Sequence, residues 1–235
     1  MSKRAEMREK RRRRRRQQQA IIVLIVLGAA VILLAIIIWP QVAPIGDIVV
    51  PQIKSYPLTD GSAMGDPQAP VVIEEFSDFL CSYCGYFHLN TLEHIVEQYV
   101  TTGQVYFVFN LFPLNQQSQQ LAQAGLCAAE QGSFWQYADI LYANQAALSS
   151  ERNIERLLEA LAENVSLDVD QFQTCVQEER YLDQIQQAYL TGINNGITGT
   201  PSFLINGKLV KGARPLSDFQ AEIEAALSEA VSSSP

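Results

Sequence analysis

The sequence predicts a mixed α/β domain preceded by one apolar helix. Three observations point to this. Nineteen consecutive residues, Ala20 to Ile38, carry no charged or polar side chain; strand and helix signals run β-α-β, then a long helical block, then β-β-α; and Cys81-Ser82-Tyr83-Cys84 falls where the first strong strand gives way to a helix.

The formal charge of −8 on 235 residues averages two unlike parts. Residues 1–19 hold Lys3, Arg4, Arg8, Lys10 and Arg11 through Arg16 against Glu6 and Glu9, a net +8, which leaves −16 for the remainder. A hydrophobic content of 48% excludes a wholly disordered chain, and 18% charged residues with 13 Gly and 10 Pro exclude a collagen-like or simple coiled-coil protein. As a helix, the apolar run would be about 28 Å long, close to the thickness of a bilayer's hydrocarbon core. Trp39 suits the lipid–water interface and Pro40 is expected to stop the helix. Basic flanks stay in the cytoplasm, so the reading is a basic cytoplasmic tail over 1–19, a transmembrane helix over 20–39 and everything beyond outside the cytoplasm, N-in/C-out. A cleaved signal would have a shorter apolar region and a small-x-small site, which Trp39-Pro40-Gln41-Val42-Ala43-Pro44 does not offer. The arginine run also reads as a nucleic-acid patch, but the −16 on the rest of the chain repels phosphate, and no nucleic-acid partner is expected.

Residues 40–60, with Pro44, Pro51 and Pro57, read as an extracytoplasmic linker, 61–230 as the folded domain and 231–235 as a fraying tail. Val71 to Phe76 is rich in β-branched residues and reads as a buried strand. Cys81 to Val100 has helical apolar spacing through Phe87, Leu89, Leu92, Ile95, Val96 and Tyr99, and Val105 to Phe109 is a second strand. Residues 116–194 hold amphipathic helical patterns, including Phe134/Tyr137/Ala138/Leu141 and Ile154/Leu157/Leu158/Leu161. Ser202 to Ile205 and Lys208 to Val210 flank Asn206-Gly207, a type I′ hairpin signal, and Asp218 to Leu227 closes with a helix.

The chemistry centres on Cys81 and Cys84. Two cysteines at i and i+3 on a first helical turn can form a disulfide, and Cys81 at the helix N-terminus meets unpaired N–H groups that favour a thiolate. With an unperturbed pKa of about 8.5, only about 3% of a thiol ionises at pH 7, so any lowering makes Cys81 a better nucleophile and leaving group. Cys84, one turn deeper, is the expected resolving thiol. A zinc site is the competing reading of the motif, but Cys127 and Cys175 lack a second CxxC spacing and His88 and His94 are the only histidines, so no metal is expected. His88 reads as a helix-surface residue, with proton shuttling as the other reading. Glu75, six residues before Cys81, is placed to lie beneath the pair with a raised pKa and to exchange a proton with Cys84; the other reading is an exposed edge acid. Glu74 points to the opposite face. Pro201, before a strand, is compatible with a turn facing the motif.

Residues Gly65 to Cys84, together with Gly199-Thr200-Pro201-Ser202-Phe203-Leu204-Ile205-Asn206-Gly207, resemble the DsbA-like thiol:disulfide oxidoreductases of the thioredoxin superfamily. The resemblance covers about 56–228 and implies a thioredoxin fold with an inserted helical domain over about 116–194. It implies that Pro201 is cis, that Thr200 and Pro201 dock substrate beside Cys81, and that Glu75 is the buried acid. Ser82-Tyr83 departs from the Pro-His of the best-known oxidase, in a dipeptide that tunes redox potential across the superfamily. Similar proteins often carry a second cysteine pair. A Cys127–Cys175 disulfide would staple the helical insertion for about 2–4 kcal/mol, two unpaired buried thiols being the other reading.

The expected activity is extracytoplasmic oxidation of cysteines in exported proteins by a Cys81–Cys84 disulfide, without a cofactor, by a membrane-anchored monomer. The resemblance suggests reoxidation by a quinone-linked membrane oxidase. The competing functions are a reductase or isomerase of exported disulfides, although residues 41–60 are too short for the dimerisation module such isomerases use, and a non-catalytic peptide-binding module.

Overall fold

The computed structural model describes residues 3–42, 45–52, 54–151 and 153–233. The chain divides into two compact units, Met1–Ile45 and Gly46–Pro235.

In the first unit the described residues form the helix α1 (Lys3–Val42). Arg, Gln, Leu and Ala hold a helix well, so the basic segment continues the apolar one without a break. From Ile21 to Trp39 the large apolar side chains are exposed on every side. A helix apolar all round needs an apolar surrounding, and Arg11–Trp39 is a candidate membrane span by length and composition. Contrary to expectation, the helix does not stop at Trp39-Pro40. Proline's fixed φ is itself helical and its missing N–H costs one hydrogen bond, so the backbone continues two residues, to Val42. Pro44, part of the expected linker, lies outside the described residues.

In the second unit a five-stranded sheet has the order β1-β3-β2-β4-β5, formed by β1 (Ala63–Met64), β2 (Val71–Ser77), β3 (Val105–Leu111), β4 (Ser202–Ile205) and β5 (Lys208–Lys211). β2 and β3 are parallel, and every other pairing is antiparallel. The β2–β3 crossover passes through α2 (Ser82–Asn90) and α3 (Leu92–Ile95), which continues as a π-helical turn over Val96–Val100. The expected single helix from Cys81 to Val100 is therefore interrupted. The wider turn, in which Thr101 N–H reaches back to the Val96 carbonyl at 3.0 Å, lets Val96, Tyr99 and Val100 all turn inward.

Among the described residues six helices fill the block between β3 and β4: α4 (Gln116–Ala129), α5 (Phe134–Ala143), α6 (Gln145–Ser150), α7 (Ile154–Asn164), α8 (Val169–Gln177) and α9 (Leu182–Asn194). After β5, α10 (Leu216–Ser233) outruns the expected stop at Leu227 and the expected tail boundary. Alternating Ala and Glu residues keep the helical propensity high there. Asn206 and Gly207, with φ of 47° and 81°, make the type I′ hairpin turn. Asn206 Oδ1 also accepts from Val72 N–H at 2.8 Å, which ties that turn to the central strand.

Phe87 from α2 packs against Phe107, Phe203 and Phe219 at ring-centroid distances of 6.5, 4.6 and 5.1 Å. These rings join α2 to β3 and β4, the strands on either side of β2, and to α10, each buried phenylalanine contributing about 1.5–3 kcal/mol. On the same face of β3, Phe79 stacks on Phe109 at 5.4 Å and meets Phe134 and Tyr142, so the helical insertion packs directly behind the cysteine motif. The segment expected to be a free linker is docked from Val49 onward. Val49 exchanges two 2.8 Å hydrogen bonds with the Asn144 side chain, Lys54 pairs with Glu93 at 2.8 Å and Tyr56 donates to Asp139 at 2.8 Å. Prolines kept it from regular structure, but its backbone and Tyr56 still find partners.

Candidate active site

Cys81 is the N-cap of α2, with φ −75° and ψ 118°, and its Sγ accepts from the Cys84 N–H at 3.4 Å. A sulfur in that position satisfies one of the four unpaired N–H groups of the helix start. The preceding turn is built by Asp78. Its carboxylate accepts from Leu80 N–H at 2.7 Å and from Leu114 N–H at 2.9 Å, so the loop is fastened to the segment after β3. On the other side, the Cys81 thiol lies 3.4 Å from the Thr200 carbonyl of the cis Thr200–Pro201 peptide. Thr200 is half-buried and Pro201 buried.

The two sulfurs sit in opposed environments. Cys81 is half-buried and Cys84 has no exposed surface. The Cys84 side chain, helped by Thr200 and by the backbone N–H groups of Cys84 and Tyr83, lowers the Cys81 pKa to about 6 against the opposing effect of partial burial. Burial pushes the Cys84 thiol far up, and the neighbouring Cys81 and Glu75 charges push the same way. At pH 7 the thiolate is thus favoured at Cys81, while Cys84 keeps its proton.

Glu75 lies on β2 between Phe109 of β3 and Phe203 of β4, with no exposed surface. Among the described residues neither carboxyl oxygen has a hydrogen-bond partner. Burial raises its pKa to about 8, so it is mostly neutral at pH 7. Because β2 is flanked on both sides, the edge-acid reading does not hold. Glu74 lies on the other, half-exposed face.

His88 departs from its expected place on the helix surface. Its side chain is fully buried, and Nε2 lies 2.8 Å from Asp139 Oδ1, the same oxygen that accepts from Tyr56. The ring sits between Trp135, at a 6.4 Å centroid distance, and Tyr142, at 4.7 Å. Helical spacing shows which residues share a face, but α5 covers this face and is 46 residues or more away in sequence. Tyr142 and Ser77, whose hydroxyls are 2.9 Å apart beneath the motif, were likewise not signalled by any local pattern.

Cys127 on α4 and Cys175 on α8 are joined by a disulfide with a Cα–Cα distance of 5.8 Å, both residues buried. Cys81 and Cys84 are free thiols. Among the described residues no cluster of three or more His, Cys, Asp or Glu is placed to hold a metal ion.

The thioredoxin family model matches residues 58–225. An NhaA Na(+)/H(+) antiporter of Salinispora tropica is 31% identical over 166 residues, which are 71% of this chain and 24% of that protein; the chain thus spans about a quarter of the length of the antiporters it matches. The probable disulfide bond formation protein D of Bacillus anthracis is 28% identical over 152 residues, 63% of this chain and 70% of that protein. Among solved structures, α-DsbA1 of Wolbachia pipientis is 26% identical with a TM-score of 0.66, covering 75% of this chain and 95% of its own. The match over 58–225, with the helical insertion and the cysteine pair at the start of α2, shows that this chain belongs to the thioredoxin family and is DsbA-like.

Proposed function

We propose that the chain is a protein disulfide oxidoreductase working as an oxidase of cysteines in exported proteins. The observation that carries this reading is the opposed placement of the two thiols, Cys81 lowered to about 6 at a helix N-terminus and Cys84 sealed beneath it. A stabilised Cys81 thiolate favours the reduced form of the pair, and a pair whose reduced form is favoured is an oxidant.

In the oxidising direction a substrate thiolate attacks Cys81 Sγ of the Cys81–Cys84 disulfide. A bond forms between the substrate sulfur and Cys81, the Cys81–Cys84 bond breaks, and its electron pair goes to Cys84. A buried thiolate is unfavourable, and Glu75, neutral below a pKa of about 8, supplies the proton. A second substrate thiolate then attacks the substrate sulfur of the mixed disulfide. Cys81 leaves as a thiolate, the substrate is oxidised, and the chain is left with the reduced pair. Thr200 and Pro201, beside Cys81, are the residues against which an extended substrate would lie.

The helix α1 anchors the catalytic unit to a membrane with the arginine run in the cytoplasm, so that Cys81 faces the side where disulfides persist. The anchor keeps the chain, working as a monomer, in the plane of the quinone-linked membrane oxidase that would reoxidise it. The Cys127–Cys175 disulfide serves as a staple of the helical insertion.

Equilibration of the full chain with glutathione tests the direction of electron flow. The oxidase reading expects a potential close to that of strong oxidases, about −120 mV, and a value near that of thioredoxin, about −270 mV, would make the chain a reductase.

A further inference from the structure

Gln145, the first residue of α6, reaches across to the cysteine loop from the helical insertion. Its Nε2 donates to the Phe79 carbonyl at 2.8 Å and to the Cys81 carbonyl at 2.9 Å. The Cys81 carbonyl also accepts the Gly85 N–H at 3.0 Å, the first hydrogen bond of the active helix. One amide group therefore holds the two peptide units that set where Cys81 enters the helix.

Gly85 shows how closely the two parts fit. A Cβ at this position would lie 2.6 Å from Gln145 Oε1, 3.0 Å from its Cδ and 3.2 Å from its Nε2. Gly85 is not among the glycines with positive φ, so the backbone conformation does not call for glycine, and glycine in a helix is unfavourable. The space favours it instead: a side chain here would displace the end of Gln145 from the place its two hydrogen bonds hold it in.

The anchor of Gln145 is itself fixed. The preceding residue, Asn144, bonds the Val49 N–H and carbonyl and also the Ile140 carbonyl at 2.7 Å. The turn between α5 and α6 is thereby clamped to the docked segment on one side and to the cysteine loop on the other.

We propose that Gln145 is a positioning residue for Cys81, holding the loop in the conformation in which Sγ caps α2, and that Gly85 makes the room for it. The proposal rests on the reading of Cys81 as the reactive thiol. Both hydrogen bonds of the Gln145 side chain go to backbone carbonyls, so its effect reaches the sulfur through the loop: without them, Cys81 Sγ loses its fixed place over the Cys84 N–H and the thiolate is less favoured.

The test is the thiolate absorbance of the reduced full chain, in detergent, followed against pH, with thermal unfolding recorded alongside. Gln145→Ala should move the Cys81 midpoint upward by about one pH unit, a tenfold loss of thiolate preference. Gln145→Met, which keeps a side chain of similar length against Gly85 but removes both donors, should do the same and serves if the alanine variant does not fold. Gly85→Ala should shift the midpoint in the same direction with Gln145 still present, and should add nothing in a Gln145→Ala background, where the methyl group has room. A lowered unfolding temperature with an unmoved midpoint in Gln145→Ala and Gln145→Met would overturn the proposal, as would full additivity of the Gly85 and Gln145 shifts. A wild-type midpoint near 8.5 would instead overturn the reading of Cys81 on which the proposal rests, whatever the variants do.

Discussion

The two cysteine pairs occupy contrasting surroundings within one folded unit. Cys127 and Cys175 lie 48 residues apart in sequence, both buried, on two helices of the insertion. Cys81 and Cys84 are three apart, one half-buried at a helix N-terminus and the other sealed. The first pair has no open surface, so an attacking thiolate has no access to it. The second has one sulfur favoured as a thiolate and within reach, above another held as a thiol. Two cysteines in range therefore differ in exposure and in their place relative to a helix end, the first pair sealed and the second with Cys81 half-buried as the N-cap of α2.

The largest effect is expected of Cys81→Ser, which should abolish disulfide exchange with a reduced model peptide in a stopped-flow assay while leaving the fold intact; retained exchange would remove Cys81 from its role. Replacing Cys127 and Cys175 together by alanine should do the reverse, costing about 2–4 kcal/mol in denaturant unfolding with exchange at the first pair unchanged. A smaller effect is expected at Glu75. Glu75→Gln cannot supply a proton to Cys84, so mixed-disulfide formation should slow by about 10- to 100-fold. Because burial lifts the Glu75 pKa to about 8, the carboxyl is a donor below that pH and ionised above it. The deficit of the variant should therefore be greatest below pH 8 and shrink above it, as the rate profile would show. The smallest change is Tyr56→Phe, which removes one of the two hydrogen bonds to the buried Asp139. It should cost about 1.5 kcal/mol of stability, measured by thermal unfolding, with no change at Cys81.

Much of this was legible in the sequence because the relevant signals are local. The strand before the cysteines, the helix after them, the Asn206-Gly207 turn and the helical block all follow from periodicity and turn chemistry over a few residues. Glu75 was legible for the same reason: its place on a buried strand fixes which face it takes. What was not legible depends on residues far apart in the chain. β1 is two residues long and exists only through its pairing with β3, so no period could announce it. The burial of His88 needs α5, and the docking of residues 49–56 needs Asn144 and Asp139. Gln145 is an ordinary polar residue at a helix start until its contacts with the Phe79 and Cys81 carbonyls are seen. Pro40 misled in the opposite way, since a helix that needs no N–H at one position can run on past it for a short distance.

The buried Cys84 side chain and the helix start split the two thiols far apart. This split is read by a pH titration of thiolate absorbance in the reduced wild-type chain, repeated with Cys84→Ala to assign the signal. A single thiolate appearing with a midpoint near pH 6 and retained in Cys84→Ala, although at a higher midpoint because the Cys84 side chain is the leading cause of the lowering, is the predicted result. A midpoint near 8.5 in the wild type, or two thiolates appearing together, would contradict it.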